Sequence, residues 1–531
     1  MRLPIASCFT SLQQANVLLS RSTRRAIRDD PSARILFVVP RRDWARDLAS
    51  RLRARFGQGK AAKINLLLRP SDFQAAPSTA QSASISVTFP GAIASGLASS
   101  ASAFDGWAQS FALVVLDDLH LLDAQYEIVA SRLLAVAKTS LTRVIGLAMS
   151  LNDPQDVGTW LGAESAFVFS FLPKDRNTAL ATAIQTFTLP HSAILNKAMI
   201  KPAFDIVRAT AQPAILFASS RIHCLSAAAD LVTQSGTHMD LNGFLTMNPE
   251  ELEPTLSSRL RDKSLTNALL RGIGVFHPGL APGDTALVLE LFATGVLRVL
   301  VVAREACWSL PVRAPVVVVL GTQYLQHGGG GANGSSGCGK PQQQQQRDRQ
   351  VSTYPLHEVL QMQSFAVLPP SLATMAAGDG PTTGSFTLFC QAEHREPYLR
   401  FLSAGLPLES TLPASGLLRP VLQSEQARGT IKTRRDALDL LAHTLLPRRM
   451  RSNPTFYAVQ PEQAEVDDEG AAVAEGSWVT GLAVEERLSR LVDNALDDAP
   501  VEVVEPVDSK VLEVSQLTAP RHVPGSAPKA A

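Results

Sequence analysis

"FALVVLDDLHLL", Phe111 to Leu122, decides how this chain is read: an apolar run leads without a break into Asp117, Asp118 and His120. A continuous apolar run of this length is a strand buried on both faces, as in a parallel sheet covered by helices. Two carboxylates at its carboxyl end stand where open α/β sheets place their ligands. There they suit a water-bridged Mg²⁺ and a base that orients water for phosphoanhydride hydrolysis. The same pair also suits a turn that starts a helix, and the residues alone leave both readings open.

Working outward, "RILFVVP" (Arg34 to Pro40), "SISVTF" and "RVIGLAMS" read as further strands, with helical stretches between them. After Arg34 to Pro40, Trp44, Leu48, Leu52 and Phe56 recur at i+4 steps, with Gly57 placed for a C-terminal cap. The arginines of that helix read as a solvated face. A second strand series follows: "PAILFASSR" (Pro213 to Arg221), "GIGVFHPGL" (Gly272 to Leu280), "VLRVLVVA" (Val296 to Ala303) and "APVVVVLG" (Ala314 to Gly321). Alternation of strand and helix predicts α/β architecture with parallel sheets. Beyond it lie one strand, "GSFTLFC", and a helical region containing "RRDALDLLAHTLLPRRM", Arg434 to Met450.

Composition bounds the rest. The chain has 531 residues, 45% of them hydrophobic, enough for several domains. Its 49 basic and 48 acidic residues nearly cancel, so no global field names a partner, though a local basic groove is compatible with the count. Five scattered cysteines without a C-x-x-C pair argue against zinc and a disulfide framework. No apolar run reaches the roughly 20 residues that span a bilayer, and the first residues lack a secretory pattern; no membrane partner is expected. "GSSGCGKP", Gly334 to Pro341, matches seven positions of a phosphate loop but puts Pro341 where a hydroxyl holds Mg²⁺. Flanked by glycine and glutamine tracts, it reads as a compositional accident within an insertion at 327–350.

These segments, in this order, resemble the DExH-box superfamily-two RNA helicases. Asp117, Asp118 and His120 stand at the D-E-x-H box; "RVIGLAMSLNDPQDVGTWLG" is similar to the third-motif segment, "GIGVFHPGL" to a second-lobe signature, and "VLVVAREACWSLPVRAPVVVVLGTQY" to the fifth motif. "LPLESTL" (Leu406 to Leu412) and "GTIKTRRDALDLLAHTLLPRRMRSNPTFYAV" (Gly429 to Val459) resemble the winged-helix region of the tandem-cassette helicases, most like the C-terminal cassette of the spliceosomal small nuclear ribonucleoprotein member. The resemblance implies two RecA-like lobes, 1–190 lacking its P-loop and 195–370, then a mostly α winged-helix and helical region at 371–500 and a disordered tail at 501–531. The family uses ATP and Mg, with Asp117 as the metal carboxylate. It further implies spliceosomal proteins and RNA as partners in the nucleus.

Departures from the pattern accompany the matches. The box glutamate is Asp118, one methylene short; the serine-rich third motif reads Ala148-Met149-Ser150; Phe365 and Leu368 occupy the arginine positions of the sixth motif; Ser309 and Pro311 replace Gly and Asn of the fifth. The family's P-loop precedes the counterpart of "LQQANVLLSRSTRRA", which begins here near the chain start. These changes imply a degenerate cassette that does not use ATP; the alternatives are a piece of an active helicase, or of the related helicase of transcription coactivation and ribosome rescue. Ser219, Ser220 and Arg221 could hold RNA phosphates, or form a helix N-cap with a surface arginine. His277 reads as a structural hydrogen-bonding residue. Arg448, Arg449 and Arg451 read as a solvated basic face rather than an RNA contact.

Overall fold

The computed structural model describes residues 22–57, 62–73, 84–97, 101–140, 142–175, 180–190, 192–210, 212–238, 243–327, 349–367, 384–414, 416–459 and 481–496. The chain forms two compact units: 22–175 joins 404–496, and 180–403 forms the other.

In the first unit, strands β1 (Arg34–Val38), β2 (Lys63–Leu66), β3 (Ser84–Thr88), β4 (Leu113–Leu116) and β5 (Arg143–Gly146) form a sheet of order β2-β3-β1-β4-β5. All its pairings are parallel. Alternation along β1 sends Ile35 and Phe37 to one face, where Ile85, Val87, Leu113, Val115 and Ile145 join them in a continuous core. Helix Arg42–Leu52 covers that core with Ala45, Leu48, Ala49 and Leu52, and a helix over 22–29 adds Ala26 and Ile27. The i+4 series holds: Leu48, Leu52 and Phe56 are buried and Trp44 partly so. The helix ends at Leu52, and Gly57 closes a π-helical turn, Arg53–Gly57.

The second unit holds β6 (Leu180–Phe187), β7 (Ala214–Ala218), β8 (Ile273–Phe276), β9 (Val299–Ala303), β10 (Val316–Val319) and β13 (Gly384–Gln391) in a parallel sheet of order β6-β13-β10-β7-β9-β8. An antiparallel hairpin joins β11 (Gln323–His327) to β12 (Arg349–Thr353). Two RecA-like α/β lobes thus stand where the strand series predicts them. Three expected limits shift. β6, placed by sequence inside 1–190, pairs with β13 and belongs to the second sheet; as an edge strand it has no fully buried residue. β13, placed in 371–500, is part of the same sheet. His327, Arg349 and Gln350, the ends of the expected insertion, are hairpin residues; 328–348 and the tail at 501–531 lie outside the described residues.

The helices of 418–496 pack on the first lobe rather than forming a third body. Ala124 and Ile128 of helix Ala124–Thr139 share a core with Leu422, Leu441, Leu446, Met450, Val484 and Val492. Among the described residues of 404–496 there is no β-ladder, only a bridge from Leu406 to Leu151, so the wing of the expected winged helix is not among them.

Buried charges hold this junction. The Glu127 carboxylate, with no exposed surface, accepts from Ser410 Oγ (2.7 Å) and the Leu446 amide (3.0 Å). Burial pushes its carboxyl up to about 7, against the opposing pull of these donors and those of Leu445 and Thr444. Arg449, only 3% exposed, binds Glu409 (2.7 Å), Asp156 (2.5 Å) and Asp153 (3.3 Å); Asn453 Nδ2 and Tyr457 Oη also donate to Glu409. Arg449 is therefore neither a solvated residue nor available to RNA. Arg448 donates to the Thr444 carbonyl and Arg451 is exposed.

Arg449→Met strands three carboxylates and should cost about 3–5 kcal/mol, against under about 0.5 kcal/mol for exposed Arg451→Met, as read by denaturant unfolding. Glu127 binds its proton more tightly folded than unfolded, so its contribution is fully present below its ordinary 4.5 and is lost as pH rises through about 7. Between those values, the stability difference between Glu127→Gln and the native chain should move in the variant's favour. A pH-independent difference would contradict the assignment.

Candidate functional site

The acid pair stands at the carboxyl edge of the first sheet. The buried β4 ladder aims Asp117 out of the sheet, its amide donating to the Val38 carbonyl at 2.9 Å. Tyr126, fully buried one turn into the next helix, sends its hydroxyl between the carbonyls of Asp117 (2.8 Å) and Val38 (3.1 Å), tying the ends of β4 and β1. Asp123 caps that helix by accepting from the Tyr126 amide.

Asp118 lies in the left-handed region (φ 51°, ψ 47°), which most side chains avoid and aspartate tolerates. Its amide donates to Asp117 Oδ1 at 3.1 Å. His120 is buried; its Nδ1 accepts from the Met149 amide at 3.2 Å and lies 3.9 Å from Asp118 Oδ1. Accepting at Nδ1 fixes the neutral ring with its proton on Nε2. Thus Asp117, Asp118, His120 and the Ala148–Ser150 segment come together at one edge of the sheet.

Burial raises both aspartates. The Asp117 carboxyl is pushed up to about 6, opposed by the Asp118 amide and the Arg51 charge; Asp118 is raised further by burial and then by the Asp117 charge. A divalent cation would relieve that repulsion, so the pair fits Mg²⁺, with Asp117 as the residue to hold it. Among the described residues no group of three or more His, Cys, Asp or Glu forms a protein cage, so any such ion would take its remaining ligands from water or phosphate.

The other expected residues lie in the second unit. Ser220 is the N-cap of helix Arg221–Thr237, its hydroxyl accepting from the His223 amide at 3.2 Å. Ser219 Oγ meets His223 Nδ1 at 3.0 Å. Arg221 is exposed and its guanidinium lies against Gly279, where an added Cβ would come within 2.7 Å. His277 is buried and accepts from the Gly279 amide at 3.1 Å, the structural role expected of it. Burial and the Arg221 charge lower its pKa. Phe365, at a sixth-motif arginine position, is 5% exposed with its ring 5.8 Å from that of Phe217. Leu368 and Gly334 to Pro341 lie outside the described residues. Sequence reasoning missed Tyr126, whose only signal was a polar-tipped aromatic eight residues beyond an acid pair.

Parallel sheets with an acid pair at the carboxyl edge of the first are the architecture of RecA-like α/β lobes. A solved structure of the DUF1998 helicase MrfA, bound to DNA and AMPPNP, shares this fold: TM-score 0.50 at 12% identity, over 80% of this chain and 52% of that one. By sequence its homologues, at about 30% identity over most of the chain, are DExH-box RNA helicases. The Arabidopsis thaliana DExH-box ATP-dependent RNA helicase DExH12 is 30% identical over 404 residues, 74% of this chain and 16% of that protein. The Homo sapiens U5 small nuclear ribonucleoprotein 200 kDa helicase is 29% identical over 360 residues, 66% and 15%. The Dictyostelium discoideum activating signal cointegrator 1 complex subunit 3-like protein is 29% identical over 401 residues, 73% and 16%. No family model matches the sequence. The chain thus spans about a sixth of the length of these relatives.

The backbone at 118 predicts which acid it accepts. Asp118→Glu, which restores the family residue, should destabilise by about 1 kcal/mol because glutamate lacks aspartate's tolerance of the left-handed region. Asp118→Asn, which keeps that tolerance and removes the repulsion, should raise the melting temperature at pH 8 and leave it unchanged at pH 4, where both aspartates carry protons. A glutamate variant as stable as the native chain would overturn this.

Proposed function

We propose that this chain is a degenerate DExH-box cassette that serves as a protein- and RNA-binding module in pre-mRNA splicing, in the nucleus and beside spliceosomal proteins, rather than as an ATP-driven motor. Phe365 carries the reading. Stabilising charge on a transferred phosphoryl group needs a cation aimed at it, and the position that supplies one in the family here holds a phenyl ring packed against Phe217. Asp118 supports it: a base displaced by one methylene costs on the order of a hundredfold in rate. Ser219, Ser220 and Arg221 are the residues proposed for RNA phosphates; the Ser220 hydroxyl, which accepts from the His223 amide as the cap, keeps its own proton to donate. The names of the relatives support the splicing context.

A second reading is favoured by the intact Asp117–His120 cluster: a piece of an active ATP-dependent RNA helicase, of the spliceosomal or the coactivator branch, with ATP and Mg as cofactors. A steady-state ATPase assay with and without single-stranded RNA separates the two. The proposal expects no RNA-stimulated turnover, unchanged by Asp117→Ala. RNA-dependent turnover that Asp117→Ala abolishes would restore the motor.

A further inference from the structure

The near-neutral total hides a local surplus. On the helices that cover one face of the first sheet, and on the adjoining edge strand β2, residues 22–63 expose ten cationic side chains against four aspartates, a surplus of six in a chain of net charge +1. The patch is one surface: Ala26 and Ile27, Trp44, and Ile64 all pack against the same core. The four aspartates are Asp29, Asp30, Asp43 and Asp47. Three make ion pairs, Asp29 with Arg25 and Arg28, Asp43 with Arg46 and Asp47 with Arg51; Asp30 is engaged by Ser32. Arg24, Arg42, Arg53, Arg55 and Lys63 have no ion-pair partner among the described residues.

We propose that this face is a second docking surface for nucleic acid, one that takes the phosphodiester backbone of RNA. Two features favour phosphate over an acidic protein. Four of the five unpaired cations are arginines, whose planar fork matches phosphate oxygens. Among the described residues between 22 and 97 no large hydrophobic side chain is exposed, so the described patch offers none of the apolar anchors on which protein interfaces depend. Binding here is electrostatic and sequence-independent. Arg51 is left out of the binding set because it pairs with Asp47 and its charge acts on the acid pair. The inference deepens the RNA-binding part of the proposed function and assigns it residues other than Ser219 and Arg221.

The test is fluorescence anisotropy of a labelled oligouridylate on the full chain across a salt series. Each phosphate that the protein no longer neutralises lowers the slope of log affinity against log salt by about 0.7. The triple variant R42Q/R53Q/R55Q should therefore lose about 2 from that slope, with its melting temperature unchanged because all three side chains are exposed. Lysine at the same three positions should retain the slope. An unchanged slope in the glutamine variant overturns the inference. If S219A/R221Q alone abolishes binding, the RNA-binding reading stands and this surface does not. Displacement by polyglutamate, with no binding of oligouridylate, would assign the face to an acidic protein and overturn it too.

Discussion

Two adjacent residues in the first turn of one helix carry the first unit. Tyr126 points into the sheet and holds the ends of β1 and β4 together beneath the acid pair. Glu127 points the other way and takes the Ser410 hydroxyl and the Leu446 amide of the following segment. A buried carboxylate is costly unless its oxygens are filled, so this register admits one placement of the 404–459 segment. Arg449 repeats the device beside the Ala148–Ser150 segment through Asp153 and Asp156, and Glu425, on helix Leu418–Ala427, does so with Arg132 of the Tyr126 helix and with Arg428.

The chemistry of the acid pair follows from that rigidity. Held at the end of a buried strand and facing each other, Asp117 and Asp118 repel, and both carboxyls rise. In a motor the strain would be discharged by a cation and a nucleotide. On the proposed function, Phe365 and Ala148 stand where the family would work on a phosphate, while the cores of both lobes are packed.

The core strands were legible because burial on both faces writes an apolar run, as in "ALVVL" or "VVVV". β2 and β6 escaped notice because an edge strand writes no such run: Lys63–Leu66 has no fully buried residue, nor does Leu180–Phe187. The acid pair and His120 were legible from spacing and resemblance together. Arg449 was not, since a run of arginines looks like a solvated face until Glu409, Asp153 and Asp156 arrive from distant sequence. The left-handed backbone at Asp118 likewise has no signature in a sequence where aspartate could stand by chance. The basic surface stayed hidden because the whole-chain charge sums to +1.

The central claim is that the first lobe keeps its helicase shape without handling a nucleotide. Calorimetric titration of Mg·ATP onto the chain, beside Asp117→Asn, tests it most directly. We predict no saturable heat for either protein, with both melting at temperatures that ATP leaves unchanged. Saturable Mg-dependent binding that Asp117→Asn removes would contradict it.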